Sequence, residues 1–152
     1  MFSATHSVLV IFLIFRGTNG DSVNQTEGPV TGSEGSPRTL HCTYQTSDSN
    51  PYLFWYVQYL NKAPQLLLKG SKASQRAEHQ GFQATLVTSD SSFHLQKPSL
   101  QASDSAVYYC ALAGVGGYQL IFGKGTKLLV IPNIQNPDPA VYLLRSPKSS
   151  KG

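Results

Sequence analysis

An all-β fold, either two packed sheets or a closed barrel, is what this chain predicts, on three observations. Apolar residues alternate with a period of two and not 3.6. Clusters of Gly, Pro, Ser, Asn and Asp interrupt the alternation at short intervals, as turns between short strands do. The one helix-like stretch, Ser99-Leu100-Gln101-Ala102-Ser103-Asp104, is long enough for a single turn at most.

The 152 residues suffice for one domain with appendages. Residues 8–15 (VLVIFLIF) form an unbroken apolar run of eight, too short to span a bilayer and the right length for a signal-peptide core. Small and polar residues follow, so residues 1–20 read as a leader cleaved after Gly20, although its n-region holds His6 and no Lys or Arg. Asn24-Gln25-Thr26 is an N-glycosylation sequon, consistent with secretion. Residues 38–44 then alternate with Leu40, Cys42 and Tyr44 on one face, and residues 53–57 with Leu53, Trp55 and Val57. Phe82, Ala84 and Leu86 repeat the pattern, as do Phe93 with Leu95, Ala106 with Tyr108 and Cys110, and Leu128 with Val130. Turn-rich segments at 31–37, 46–51, 61–64, 71–81 and 89–92 separate these runs.

The strands place the chain's two cysteines, Cys42 and Cys110, on inward faces. In an oxidising compartment each pairs within the chain or with another chain. A bridge between them would cross the core and contribute about 4 kcal/mol on the chain-entropy model. Trp55, inward and thirteen residues after the first cysteine, would pack on it. Residues 104–110 read D-x-A-x-Y-x-C, with Asp104 and Tyr108 before the second cysteine. Cysteine, tryptophan and cysteine at this spacing, with a tyrosine two residues before the last, make the immunoglobulin pattern of a two-sheet Greek-key sandwich. That gives Cys42, Cys110, Trp55, Tyr108 and Asp104 structural roles.

Charge excludes some functions. Residues 21–132 carry eight basic and seven acidic side chains, so no basic face suggests nucleic acid. No apolar run after the leader approaches twenty residues. The four histidines, His6, His41, His79 and His94, form no metal-ligand spacing, and G-x-S-x-G and H-E-x-x-H are absent. Lys124 in "GKGT" invites a phosphate-loop reading. Tyr118 stands where that loop needs glycine and Gly125 where it needs Ser or Thr. The reading is of a binding module, with no enzyme activity and no cofactor.

Beyond the general pattern, the chain resembles T-cell receptor alpha-chain precursors from end to end. Carrying the resemblance are Trp55-Tyr56-Val57-Gln58, Leu66-Leu67-Leu68-Lys69, Ser92-Phe93-His94-Leu95, the D-x-A-x-Y-x-C run and Phe122-Gly123-Lys124-Gly125-Thr126, similar to a joining segment. An antibody light-chain variable domain shares much of this, and a monomeric adhesion or co-receptor module shares the fold. Residues 133–142 (NIQNPDPAVY) resemble the opening of the alpha constant region and favour the receptor. The resemblance implies a variable domain with its joining segment at 21–132 and the start of a constant region at 133–152. A first constant strand near 140–145 is expected, frayed without the rest of its sheet. It also implies the extracellular face of the plasma membrane, with the anchor and any contacts to signalling subunits outside this sequence. One departure stands out. Many such domains pair the aspartate before strand F with an arginine at the start of strand D, where this chain has Gly81-Phe82.

Two surfaces are candidates for function. Phe54, Tyr56 and Gln58 alternate outward between Leu53, Trp55 and Val57; Tyr109 points opposite to Tyr108; Pro64, Leu66 and Phe122 add apolar surface. An apolar patch with a central glutamine marks a protein interface. The resemblance implies a receptor beta chain as partner, with Gln58 reaching a matching glutamine. Gly123 and Gly125 suit a bulge that turns Phe122 toward that partner. The second surface is three loops at one end. The first comprises Thr46, Ser47, Asp48, Ser49, Asn50, Pro51 and Tyr52; the second Gly70, Ser71, Lys72, Ala73, Ser74 and Gln75. The third comprises Ala111, Leu112, Ala113, Gly114, Val115, Gly116, Gly117, Tyr118, Gln119, Leu120 and Ile121. By the resemblance, the first two meet the helices of an MHC-like presenting molecule and the third lies over a presented peptide. The third loop holds no charge, so its contacts are expected through Tyr118, Leu112, Val115 and glycine backbone.

Overall fold

Wherever the sequence alternates, the backbone is extended. The computed structural model describes residues 20–114 and 119–133. Residues 1–19 of the expected leader, Val115, Gly116, Gly117 and Tyr118 of the expected third loop, and the segment from 134 with its expected strand lie outside the described residues. In chain order the strands are β1 (Ser22–Gln25), β2 (Val30–Ser33), β3 (Arg38–Leu40), β4 (Cys42–Gln45), β5 (Tyr52–Gln58), β6 (Gln65–Gly70), β7 (Arg76–His79), β8 (Phe82–Thr85), β9 (Leu95–Lys97), β10 (Ala106–Ala113), β11 (Leu120–Phe122) and β12 (Thr126–Ile131). A 3-10 turn, Ala102–Asp104, precedes β10.

They form two layers. One runs β2-β12-β10-β5-β6, with β11 also on β10. The other runs β3-β9-β8-β7, and β1-β4 extends it, because only His41 separates β3 from β4 and Phe93 N donates to Cys42 O. The first edge of the chain is thus split: β1 joins one layer, and β2 crosses to pair with β12, in parallel. The predicted inward residues fill the space between. Leu40, Cys42, Tyr44, Leu53, Trp55, Val57, Phe82, Ala84, Leu86, Phe93, Leu95, Tyr108, Cys110, Leu128 and Val130 are all buried. The Cys42–Cys110 disulfide joins the layers. Trp55 is Cys110's neighbour across β5 and β10, and its indole Nε1 donates to Phe93 O at 2.7 Å. Burying a tryptophan needs such a partner for its N–H.

The sequence of β6 breaks the period-two rule, since three leucines follow one another. A bulge resolves this. Trp55 faces Leu68 and Tyr56 faces Leu66, so Leu67 is the extra residue. Leu67 and Leu68 both enter the core, and Leu66 is left half-exposed on the outer face.

Asp104 finds a partner that the motif does not name. Lys97, from β9, donates from Nζ to Asp104 Oδ2 at 2.6 Å, with both side chains almost wholly buried. Gln101 N donates to the same oxygen at 2.8 Å. The lysine head lies over the Phe82 ring, 4.4 Å from its centroid. Gly81 has φ +83, and a Cβ there would meet the Lys97 stem at 3.1 Å. The glycine and phenylalanine standing in the arginine's expected place therefore make room and a floor for a lysine arriving from the neighbouring strand. Tyr108 closes the corner, its hydroxyl donating to Asp104 O at 2.5 Å. Burial, then the Asp104 carboxylate, push that phenol well above its ordinary value.

On the outer face of the second layer, His94 Nδ1 accepts from Cys42 N at 3.0 Å, and its ring meets that of His41 edge-on. Burial first, then His41, hold His94 below its ordinary value of 6.5, with Asp90 opposing them. Lowering the folded pKa favours the neutral ring. The contribution is therefore complete above about pH 6.5 and is lost as pH falls through the lower folded value. Denaturation midpoints should fall on acidification from pH 7 to 5, and His94→Gln, which keeps an acceptor but does not titrate, should flatten that slope. An unchanged slope in the variant would exclude His94 as its source.

Candidate functional site

Register in the first layer assembles the outward aromatic residues. Tyr56 and Tyr109 are partners across β5 and β10; Ala111 lies between Phe54 on one side and Phe122 on the other. Phe54 and Tyr56 have ring centroids 6.3 Å apart, Tyr56 and Phe122 5.5 Å. Tyr56, Gln58, Pro64, Tyr109, Phe122 and Gly123 line an open recess of about 360 Å³. Phe54, Tyr56, Gln58 and Tyr109 are half-buried, Pro64 is exposed, and Leu66 and Phe122 are 51% and 49% exposed. The Gln58 amide Nε2 donates to Lys62 O at 3.1 Å, which ties the side chain to the turn after β5.

The bulge between β11 and β12 has a defined origin. Ala111 pairs with Phe122 and Tyr108 with Thr126, so Tyr109 and Cys110 face three residues, Gly123 to Gly125. Gly125 serves as expected and Gly123 does not. Gly125 has φ +93 and lies under the Tyr109 ring, where a Cβ would sit 2.6 Å from Cε1. Gly123 needs no positive φ; a Cβ there would strike the side chain of Gln25, 2.3 Å from Oε1. That glutamine, noticed in the sequence merely as the middle of a sequon, proves to be a clamp. Its Nε2 donates to Tyr108 O at 2.9 Å and to Thr126 Oγ1 at 3.4 Å; its Oε1 accepts from Cys110 N at 3.1 Å and Gly125 N at 3.0 Å. A glutamine placed two residues beyond an apolar strand position (Val23) was the sole signal.

The loop end is built by local hydrogen bonds. In the first loop Thr46 Oγ1 accepts from Asp48 N and Asp48 Oδ1 from Asn50 N, the side-chain turns that Thr and Asp favour. In the second, Ser71 and Ser74 exchange backbone hydrogen bonds at 3.0 and 3.1 Å around Lys72 and Ala73, and Ser71 Oγ accepts from Ser74 N. Asn50, Pro51, Tyr52, Ser71, Lys72 and Ala73 line a recess of about 390 Å³ between these loops. Lys69 Nζ lies 5.6 Å from the Tyr52 ring centroid.

The structure shortens the loops. Gly70 is buried at the end of β6, where a Cβ would strike Phe93, and Pro51 is buried. Ala111, Leu112 and Ala113 belong to β10 and are buried. The expectation that Leu112 offers ligand contact is corrected: the inward alternation of Tyr108 and Cys110 continues one step further, and Leu112 joins the core. Ala111 and Ala113 are flanked in register by Phe54 and Phe122, and by Tyr52 and Leu120. Leu120 and Ile121 lie on β11 and are half-buried. Thr46, Asp48, Ser71 and Gly114 are half-buried, while Ser47, Ser49, Asn50, Tyr52, Lys72, Ala73, Ser74, Gln75 and Gln119 are exposed. Asp48 also approaches Gly114, whose Cβ would lie 2.8 Å from Oδ2, so the first and third loops touch.

Residues 25–131 match the immunoglobulin V-set domain family. A T-cell receptor alpha chain V region of Mus musculus, CTL-F3, is 61% identical over 128 residues, 84% of this chain and 96% of that protein. The alpha chain V region RL-5 of Oryctolagus cuniculus is 61% identical over 132 residues, 86% and 98% of the two chains. T cell receptor alpha variable 18 of Homo sapiens is 66% identical over 112 residues, 74% and 99%.

Proposed function

This chain belongs to the immunoglobulin V-set family and, within it, to the T-cell receptor alpha variable regions, and on that premise we propose that it reads peptide or another small ligand displayed by an MHC-like molecule, in a heterodimer with a receptor beta chain. Membership makes it an antigen-recognition module of a cell-surface receptor that pairs with other chains, and not an enzyme.

The observation that carries the finer reading is the aromatic face. Phe54, Tyr56, Tyr109 and Phe122 with Pro64 and Leu66 form one apolar surface around a fixed glutamine amide, and such surfaces are covered by protein. Pairing there leaves the loop end free. Tyr52, Asn50, Lys72 and Gln119 then supply exposed side chains for the presenting molecule and its ligand.

Replacing Gln58 by Glu tests the pairing. An unmatched charge buried between two domains costs several kcal/mol, so Gln58→Glu should weaken association with a beta chain at least tenfold in sedimentation or surface-binding measurements. The far-ultraviolet spectrum and melting temperature should stay as in the parent. Equal association of parent and variant, or no association by either, would sink the reading.

A further inference from the structure

We propose that Asn24 carries an N-linked glycan, and that this glycan caps the open edge of the second layer. Residues 24–26 form the sequence's sole sequon. Asn24 lies in β1, exposed, paired in register with the exposed Thr43. Its neighbours Val23 and Gln25 turn inward, Val23 onto the core and Gln25 onto β10 and β12. Asn24 therefore points away from the aromatic face, which belongs to the other layer. β1 pairs only with β4 among the described strands, so its far side is a sheet edge, and an open edge invites pairing with another chain unless something bulky or charged guards it. β1 offers no charge for that purpose, since it reads Ser-Val-Asn-Gln.

The fold also sets when the sugar is attached. In the native domain the tripeptide is engaged: Thr26 Oγ1 accepts from His41 N, Thr26 O accepts from Thr126 Oγ1, and Gln25 is clamped. Attachment must precede docking of β1. His41 and β4 follow soon after it, but the groups that clamp Gln25 and fix β1 against the other layer lie 83 to 101 residues later in the chain, a delay of roughly 4–20 s during synthesis. The sequon thus stays open while the chain enters the secretory lumen. In the transfer, the Asn24 amide nitrogen bonds to the anomeric carbon of a lipid-pyrophosphate-linked oligosaccharide. The carbon–oxygen bond to that carrier breaks, and the pyrophosphate leaves as the nitrogen loses one proton.

The full chain, with its own leader, is expressed in mammalian cells and treated with peptide-N-glycosidase. One enzyme-sensitive mobility step is expected, absent from Asn24→Gln and retained in Thr26→Ser. Asp90→Asn makes a second sequon of residues 90–92 in an exposed turn and should add a second step. Modification at 90 with an unmodified Asn24 peptide overturns the proposal, as does failure of both sites. For the capping role, Asn24→Gln should lose soluble chain severalfold, and adding Asp90→Asn should not restore it. An unchanged soluble fraction, or rescue by the sugar at 90, overturns that role. None of these readouts depends on a beta chain or a presented ligand.

Discussion

Lys97→Met is expected to lower unfolding stability by about 3–5 kcal/mol, the largest single loss predicted for this domain. Methionine fills the space above Phe82 but leaves the Asp104 carboxylate buried without its cation. Denaturant titration of parent and variant at neutral pH measures it. The double variant Lys97→Met/Asp104→Leu removes both charges and should recover part of the loss, leaving about 1–3 kcal/mol because Gln101 N then lacks its acceptor. A single variant within about 1 kcal/mol of the parent would mean that the pair behaves as a surface ion pair.

The second large effect is expected at Gln25. Removing its amide with Gln25→Ala strips partners from Tyr108 O, Cys110 N and Gly125 N, at about 1–3 kcal/mol for each group that stays dry. Gln25 is half-buried, so water replaces part of this, and about 2–4 kcal/mol is the expected net. The variant should also lose hydrogen-exchange protection at Gly125 N, since Gln25 is the partner seen holding it at the bulge. Protection unchanged at Gly125 would place the bulge's stability elsewhere, in the Tyr109 ring above it.

Both effects concern residues whose roles were hidden in the sequence, and for the same reason. Period-two patterning records which side of a strand faces the core, so Leu53, Trp55, Val57 and the cysteine pair were legible. It records nothing of polar contacts between distant strands. Lys97 ends a short strand before Pro98 and reads as a solvated charge; what makes it a buried cation is the space at Gly81 and the aspartate seven residues on. Gln25 reads as an exposed amide because the groups it clamps lie 83 to 101 residues away. The aromatic face was legible for a related reason, as apolar residues in the wrong phase of the alternation. The limits of the third loop were not. Ala111, Leu112 and Ala113 look like loop composition, and only the ladders to β5 and β11 show that β10 runs on.

The crossing of the chain's first edge has a mechanical consequence. β12 is the strand by which the chain leaves the domain, and it lies between β10 and the parallel β2. Tension between the loop end and that exit acts along β12, across the hydrogen bonds on both its flanks. The rungs are then strained together, in shear, instead of parting one at a time as in a zipper. Had β2 stayed with β1 in the other layer, one flank of the exit strand would be bare and its share of that resistance lost.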